Sequence, residues 1–224
     1  MIFDTKAHYD DEQYNDDRDE LFQQFLEHGI TKVVNIATSL EVSKNNIAMS
    51  EKYPFLYGTI GIFPSETNNL PADAMERLME YAKEPKIVAV GEVGLDYHYP
   101  DTNKEVQQEW FCKQLDVARK SKLPVCIHSR DAAKDTLDIM KDENADQIGG
   151  VIHCYSYSVD MAKEYLDMGF YFGIGGVLTF KNGKKLRQVV DYIPLSHIVL
   201  ETDAPYLAPE PYRGTRNQSL NLSL

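Results

Sequence analysis

The run Ile87-Val88-Ala89-Val90-Gly91-Glu92 is a short, nearly continuous apolar stretch that ends on a carboxylate. A helical pattern over Lys104–Ser121 follows, and then a second such stretch, Pro124-Val125-Cys126-Ile127-His128, ends on an imidazole. A strand with one wet face alternates apolar and polar residues, whereas a strand covered on both faces reads as an unbroken apolar run. The two runs and the helix between them therefore read as a strand, a crossover helix and a parallel strand.

The same unit repeats in both directions. Further strands are expected at Ile2–His8, Lys32–Ala37, Leu56–Ile62, Gly150–His153, Tyr171–Ile174 and His197–Thr202. Helices are expected at Gln13–His28, Leu40–Lys52, Ala72–Lys83, Ala132–Glu143, Val159–Met168 and Lys184–Tyr192, each with apolar residues three and four apart. His28-Gly29 and Met168-Gly169 mark helix stops, and Pro54, Pro85, Pro124 and Pro194 punctuate the approach to the next strand. Strict alternation fits either a doubly wound sheet or an eight-stranded barrel, and the count of strands favours a single TIM-like (β/α) barrel domain over residues 1–224. Such barrels typically take about 250 residues. After the last strand come a Pro-rich loop and only Ser219–Leu224, so the closing C-terminal helix is expected to be missing. That absence would uncover an apolar face between the first and seventh helices and open it to self-association.

Composition narrows the function classes. Of 224 residues, 43% are hydrophobic and 26% charged, as in ordinary folded domains. With 23 Lys and Arg against 35 Asp and Glu, the net charge is −12, which disfavours broad counterion-driven binding to nucleic acid. Any nucleic-acid substrate would have to be drawn in by bound metal and a local basic rim. No apolar run approaches membrane-spanning length, and the Met1-Ile2-Phe3-Asp4-Thr5 start has neither a basic nor an apolar leader region, so a cytoplasmic protein is expected. Cys112, Cys126 and Cys154 form no CxxC pair, which argues against a disulfide frame or a thiolate zinc site.

In a β/α barrel, chemistry gathers where the strands end. His8, Glu92, His128 and His153 stand at or just after four strand ends, and the eighth strand runs into Asp203. Three imidazoles and two carboxylates converging on one mouth would carry a large desolvation and repulsion cost, which a divalent metal relieves. Mixed nitrogen and oxygen ligands suit Zn, Mn or Mg, and Glu92 can bridge two ions, so one or two are expected. Glu201 lies two positions before Asp203, so both carboxylates share a strand face, and both are catalytic candidates. Arg130 is a candidate for gripping a substrate phosphate. Arg213 and Arg216 carry a weaker claim of the same kind, and Asp96 with Tyr97 are candidates to orient a ligand imidazole.

Five segments together resemble the TatD family of metal-dependent deoxyribonucleases. They are Phe3-Asp4-Thr5 with His8, Gly91-Glu92-Val93-Gly94-Leu95-Asp96-Tyr97, Ile127-His128-Ser129-Arg130-Asp131-Ala132, Gly150-Val151-Ile152-His153-Cys154, and Glu201-Thr202-Asp203-Ala204-Pro205-Tyr206-Leu207. The resemblance covers nearly the whole chain, to about Asn217. It implies a TIM-like barrel hydrolase of the amidohydrolase superfamily that cleaves phosphodiester bonds in DNA or oligonucleotides, often as an exonuclease. It further implies that His8 and Asp203 hold one ion, that His128 and His153 hold a second, and that Glu92 bridges them. The chain departs from the family pattern twice. Lys6-Ala7-His8 stands where the family has His-x-His, and Gly61-Ile62-Phe63-Pro64 stands where it has Gly-Ile-His-Pro. Both departures, and the short C-terminus, imply reduced activity. Two other readings share the scaffold: an amidohydrolase or lactonase acting on small organic substrates, and a catalytically degenerate metal-binding homologue.

Overall fold

All 224 residues are described by a computed structural model, in which every expected strand pairs in parallel and in chain order from β1 to β8. The strands are β1 (Ile2–Ala7), β2 (Ile30–Asn35), β3 (Leu56–Ile60), β4 (Ile87–Asp96), β5 (Val125–Arg130), β6 (Gly150–Ile152), β7 (Tyr171–Ile174) and β8 (Ile198–Leu200). Between them run α1 (Arg18–Glu27), α2 (Leu40–Lys52), α3 (Ala74–Tyr81), α4 (Lys104–Ser121), α5 (Ala133–Asp142), α6 (Val159–Asp167) and α7 (Lys184–Tyr192). Side-chain caps start several helices: Ser39 accepts from the Val42 N–H, Asn103 from Val106 and Ser158 from Met161. The main core, including Phe111, Leu115, Tyr165 and Phe172, fills the shell between barrel and helices.

Of the boundaries that differ from the sequence expectation, three bear on the site. First, α1 starts at Arg18 instead of Gln13, because Glu12–Tyr14 form a separate 3-10 turn. The Tyr14 hydroxyl donates to the Asn217 carbonyl at 2.6 Å, and the Tyr14 ring packs at a tilt against Tyr9 with centroids 4.8 Å apart. This tertiary anchoring outweighs the helical periodicity. Second, β4 runs four residues beyond Glu92, since the register against β5 shifts between Val90 and Val93 and then continues to Asp96↔Arg130. Gly94 makes the close approach: its φ is +139°, and a Cβ there would lie 2.0 Å from the His128 carbonyl oxygen. Third, β8 ends at Leu200, before Glu201.

The seam between β8 and β1 is thinly laddered. The Asp203 N–H donates to the Lys6 carbonyl at 3.0 Å and the His8 N–H to the Ala204 carbonyl at 2.7 Å. Asp4, fully buried, completes it by accepting from the Thr202 N–H at 3.0 Å, the Thr202 hydroxyl at 2.7 Å and the Ser219 hydroxyl at 2.6 Å. After β8, the last element is a 3-10 turn, Ser219–Ser223. Leu220 packs on the aromatic cluster that contains Phe22 and Phe25, which covers the α1 side of the expected groove. On the β7–β8 side a cavity of about 160 Å³ remains, lined among others by Leu178, Leu200, Leu222 and Leu224.

Burial pushes the Asp4 carboxyl up to about 6, against the opposing pull of its hydrogen bonds from Ser219 and Thr202. The folded-state pKa is thus above the unfolded one, so the neutral acid is the better-tolerated form. Its stabilising contribution is complete below the ordinary value of 3.8 and is lost as pH rises through about 6. The melting temperature of the wild type, relative to that of Asp4→Asn, is expected to fall between pH 4 and pH 7. A constant difference across that range, measured by calorimetry, would show that Asp4 titrates as in an unfolded chain.

Candidate metal centre

The strand ends bring together two adjoining sets of side chains that share Glu92. The first set is Glu92, His128 and His153. Glu92 Oε1 lies 2.8 Å from His128 Nδ1 and 2.9 Å from His153 Nε2, and the two ring nitrogens are 3.2 Å apart. Ligands bound at ~2.0–2.1 Å around one tetrahedral zinc stand about 3.3 Å from each other, and around octahedral magnesium about 3.0 Å. The three donors are therefore already spaced as ligands of a single ion, and their chemistry fits Zn, Mn or Mg.

Each imidazole is held from behind. His128 Nε2 lies 3.1 Å from Asp96 Oδ2, a contact made available by the extension of β4. His153 Nδ1 lies 3.3 Å from Glu201 Oε1, which also accepts from the Cys154 N–H at 2.6 Å. Carboxylates so placed fix the orientation of a ligand imidazole and raise its basicity. Glu201 is only 1% exposed, and its second oxygen has no hydrogen-bond partner. Phe63, in the position where the sequence suggested a lost histidine, packs edge-on against the His128 ring with centroids 4.7 Å apart.

The second set is Lys6, His8 and Asp203. Lys6 and His8 point the same way along β1, as alternation requires. Lys6 Nζ is 3.0 Å from Glu92 Oε2 and 2.9 Å from His8 Nε2, and it donates to Asp203 Oδ1. Asp203 leaves β8 in the left-handed region with φ +57°, a conformation that Asp tolerates better than most residues. Beneath both sets lies an apolar cavity of about 390 Å³, lined among others by Val34, Ile36, Val88, Cys126 and Val151.

This buried ion network fixes the charge states. Burial acts to lower the Lys6 pKa, but the Asp203 and Glu92 carboxylates outweigh it and hold the ammonium above its ordinary value. Burial acts to raise Glu92 and Asp203, and Lys6 together with the neighbouring imidazoles outweighs it, His153 and His128 for Glu92 and His8 and His153 for Asp203, so Glu92 is held well below and Asp203 below the usual carboxylate range. For His153, burial and Lys6 push down while Glu92 and Glu201 push up, leaving the pKa raised to about 10. A bound dication would replace that proton.

Of the candidate residues read from the sequence, Glu92, His128 and His153 meet at one point, while His8 and Asp203 meet instead around Lys6. Glu201 sits behind His153, away from the mouth. Arg130 is exposed at the rim, its guanidinium 6.0 Å from the Tyr99 ring centre. Arg216 is tied to Asp17 and to the Gln13 carbonyl, whereas Arg213 lies over the Phe180 ring at 3.8 Å. Sequence reasoning missed the half-exposed aromatics of the rim, Tyr99, Tyr206 and Tyr212. Their signal was available, because all three lie in loops that follow strand ends.

An eight-stranded parallel barrel with a candidate ligand triad at its mouth is the architecture of a metal-binding β/α-barrel protein. Comparison with known proteins carries this further. The profile of the family described as TatD related DNase matches residues 3–223, and the chain belongs to that family. A Bacillus subtilis relative described as uncharacterized metal-dependent hydrolase YabD is 38% identical over 218 residues, covering 97% of this chain and 86% of its own. The 3'-5' ssDNA/RNA exonuclease TatD of Cronobacter turicensis is 34% identical over 210 residues, 93% of this chain and 80% of its own. The crystal structure of YJJV, a TatD homologue from Escherichia coli K12, superposes with a TM-score of 0.93 at 30% identity, over 99% of this chain and 86% of the other. An organophosphorus hydrolase at 13% identity and TM-score 0.60 shares the barrel fold. No helix is long and apolar enough to cross a membrane.

Proposed function

We propose that the chain hydrolyses phosphodiester bonds in DNA, acting on single strands from an end, with a divalent ion held by Glu92, His128 and His153. The observation that supports this reading is the joint placement, at one mouth of a TatD-family barrel, of the ligand triad and a rim of half-exposed tyrosines and arginines. A flexible strand presents unstacked bases to such a rim, and base–aromatic stacking contributes about 1–3 kcal/mol per base. Tyr99, Tyr206 and Tyr212 offer the stacking faces, and Arg130 and Arg213 offer forks for phosphate oxygens. Local attraction of this kind is needed because the net charge of −12 repels a polyanion.

A divalent ion held by Glu92, His128 and His153 would supply Lewis acidity and lower the pKa of a bound water. Asp203, held ionised by Lys6, accepts a hydrogen bond from the attacking water and aligns it. A carboxylate with so depressed a pKa orients water better than it removes a proton. Asp96 and Glu201 keep His128 and His153 in ligand orientation, so Glu201 acts through His153 as a positioning residue.

The test is cleavage of end-labelled single- and double-stranded oligonucleotides with Mg, Mn or Zn. Metal-dependent, chelator-sensitive shortening of single strands is expected, and His153→Ala should lower it at least about a hundredfold. Turnover of lactones or amides with oligonucleotides untouched under every ion would replace the nuclease reading.

A further inference from the structure

Lys6 occupies a position built for a cation. An ammonium has three N–H donors and no acceptor. The Lys6 ammonium meets three acceptors: Glu92 Oε2 at 3.0 Å, His8 Nε2 at 2.9 Å, and Asp203 Oδ1. Its side chain is 3% exposed, so no donor is left for solvent. The same three acceptors are a nitrogen and two carboxylate oxygens, a donor set that would otherwise suit a divalent ion. Glu92 is thus used as a bridge, with Oε1 facing His128 and His153 and Oε2 facing Lys6.

We infer that this chain carries one divalent ion and supplies its second cation covalently, as the Lys6 ammonium wedged between His8, Glu92 and Asp203. The inference rests on the assignment of the ion to Glu92, His128 and His153. Another ion can bind those three acceptors only if Nζ leaves, because all of them are already within its hydrogen-bonding reach. Leaving would carry a buried charge into the apolar barrel interior, or strip it of every partner. An ion placed alongside would instead face a fixed like charge at close range.

The substitution has a defined chemical consequence. An ammonium neutralises Glu92 and fixes Asp203, but it has no open coordination position and cannot acidify water. The chain would therefore retain an ordered site while depending on a single Lewis acid.

Metal content and calorimetric titration with Mn or Zn, beside oligonucleotide cleavage, test this. The wild type is expected to bind one ion per chain. Lys6→His, which places a second imidazole on the same face of β1, is expected to bind two and to cleave about tenfold faster or more, ~1.4 kcal/mol of barrier. Paramagnetic resonance of the Mn-loaded wild type gives an answer even if the variant does not fold. An isolated six-line spectrum is expected, whereas exchange-coupled lines from two ions roughly 3.5–4 Å apart would overturn the inference. Two ions in the wild type with cleavage intact would overturn this inference alone. Folded Lys6→His holding one ion would do the same. One ion in the wild type with no cleavage of any oligonucleotide would instead overturn the nuclease reading, and no ion at all would overturn both.

Discussion

Glu92→Gln is expected to leave the protein without its metal, to lower cleavage by roughly a thousandfold or more, and to destabilise the metal-free protein as well. Loss of one preorganised electrostatic contact typically costs about 10²–10³ in rate, and this variant loses the contact that organises the others. An amide has nearly the shape of the carboxylate it replaces, so the effect isolates charge. Glu92 Oε1 is the shared partner of His128 and His153, and Oε2 is a partner of Lys6. Neutralising it leaves an ammonium and two imidazoles with Asp203 and the flanking carboxylates as their only balance. Removing one member of a buried ion pair costs about 3–5 kcal/mol. For a domain of this size each kcal/mol moves the melting temperature by about 2–4 °C, so a drop of roughly 6–20 °C in chelator is expected. Equal melting temperatures for the two metal-free proteins would show that the Glu92 charge is not part of the stabilising network. The pH dependence has the opposite sign to that of Asp4. The Glu92 pKa is depressed in the folded state, so its contribution is present above the ordinary value of 4.5 and is lost as pH falls.

The contrast between Asp4 and Glu92 shows what a sequence carries and what it withholds. Both are carboxylates on barrel strands, and both are buried. Glu92 was legible as a candidate site residue because an unpaired carboxylate at the end of an apolar run has no structural reason to be there. The alternation of strand and helix was legible for the same kind of reason: apolar periodicity reports burial directly. What was not legible depended on partners distant in the chain. Tyr14 breaks away from the expected first helix because it reaches Asn217, and β4 outruns Glu92 because Gly94 allows contact with the His128 backbone. Lys6 stood out as a departure from a pattern, but its three acceptors come from the residue after β1, from β4 and from the segment after β8. Glu201 shares strand parity with the residues of the mouth, yet its oxygen meets His153 from behind. Parity fixes the face of a strand and says nothing about which neighbour a long side chain meets.

Gly173→Ala is expected to weaken metal binding although residue 173 touches no metal ligand. The backbone of β7 passes so close to Glu201 that a Cβ at position 173 would lie 2.0 Å from Oε2 and 2.6 Å from the carboxyl carbon. No heavy atom tolerates that approach, so something must move. The strand is held on both sides, by the register Ile152↔Phe172 toward β6 and Gly173↔Val199 toward β8. The Glu201 carboxylate is less constrained, because its Oε2 has no partner to lose. Displacement of that carboxylate breaks the contacts of Oε1 with His153 Nδ1 and the Cys154 N–H. His153 then loses the partner that sets its tautomer and ring orientation. Loss of such an outer partner typically costs about 10–100-fold in metal affinity, and that range is expected for Gly173→Ala. Glu201→Gln provides the control, since it keeps the volume and one acceptor oxygen while removing the charge. If the glycine acts through Glu201, adding Glu201→Gln to Gly173→Ala should cost much less than the sum of the two single effects, because both remove the same support from His153. Fully additive losses in calorimetric metal titrations would show that Gly173 acts on the barrel through some other contact.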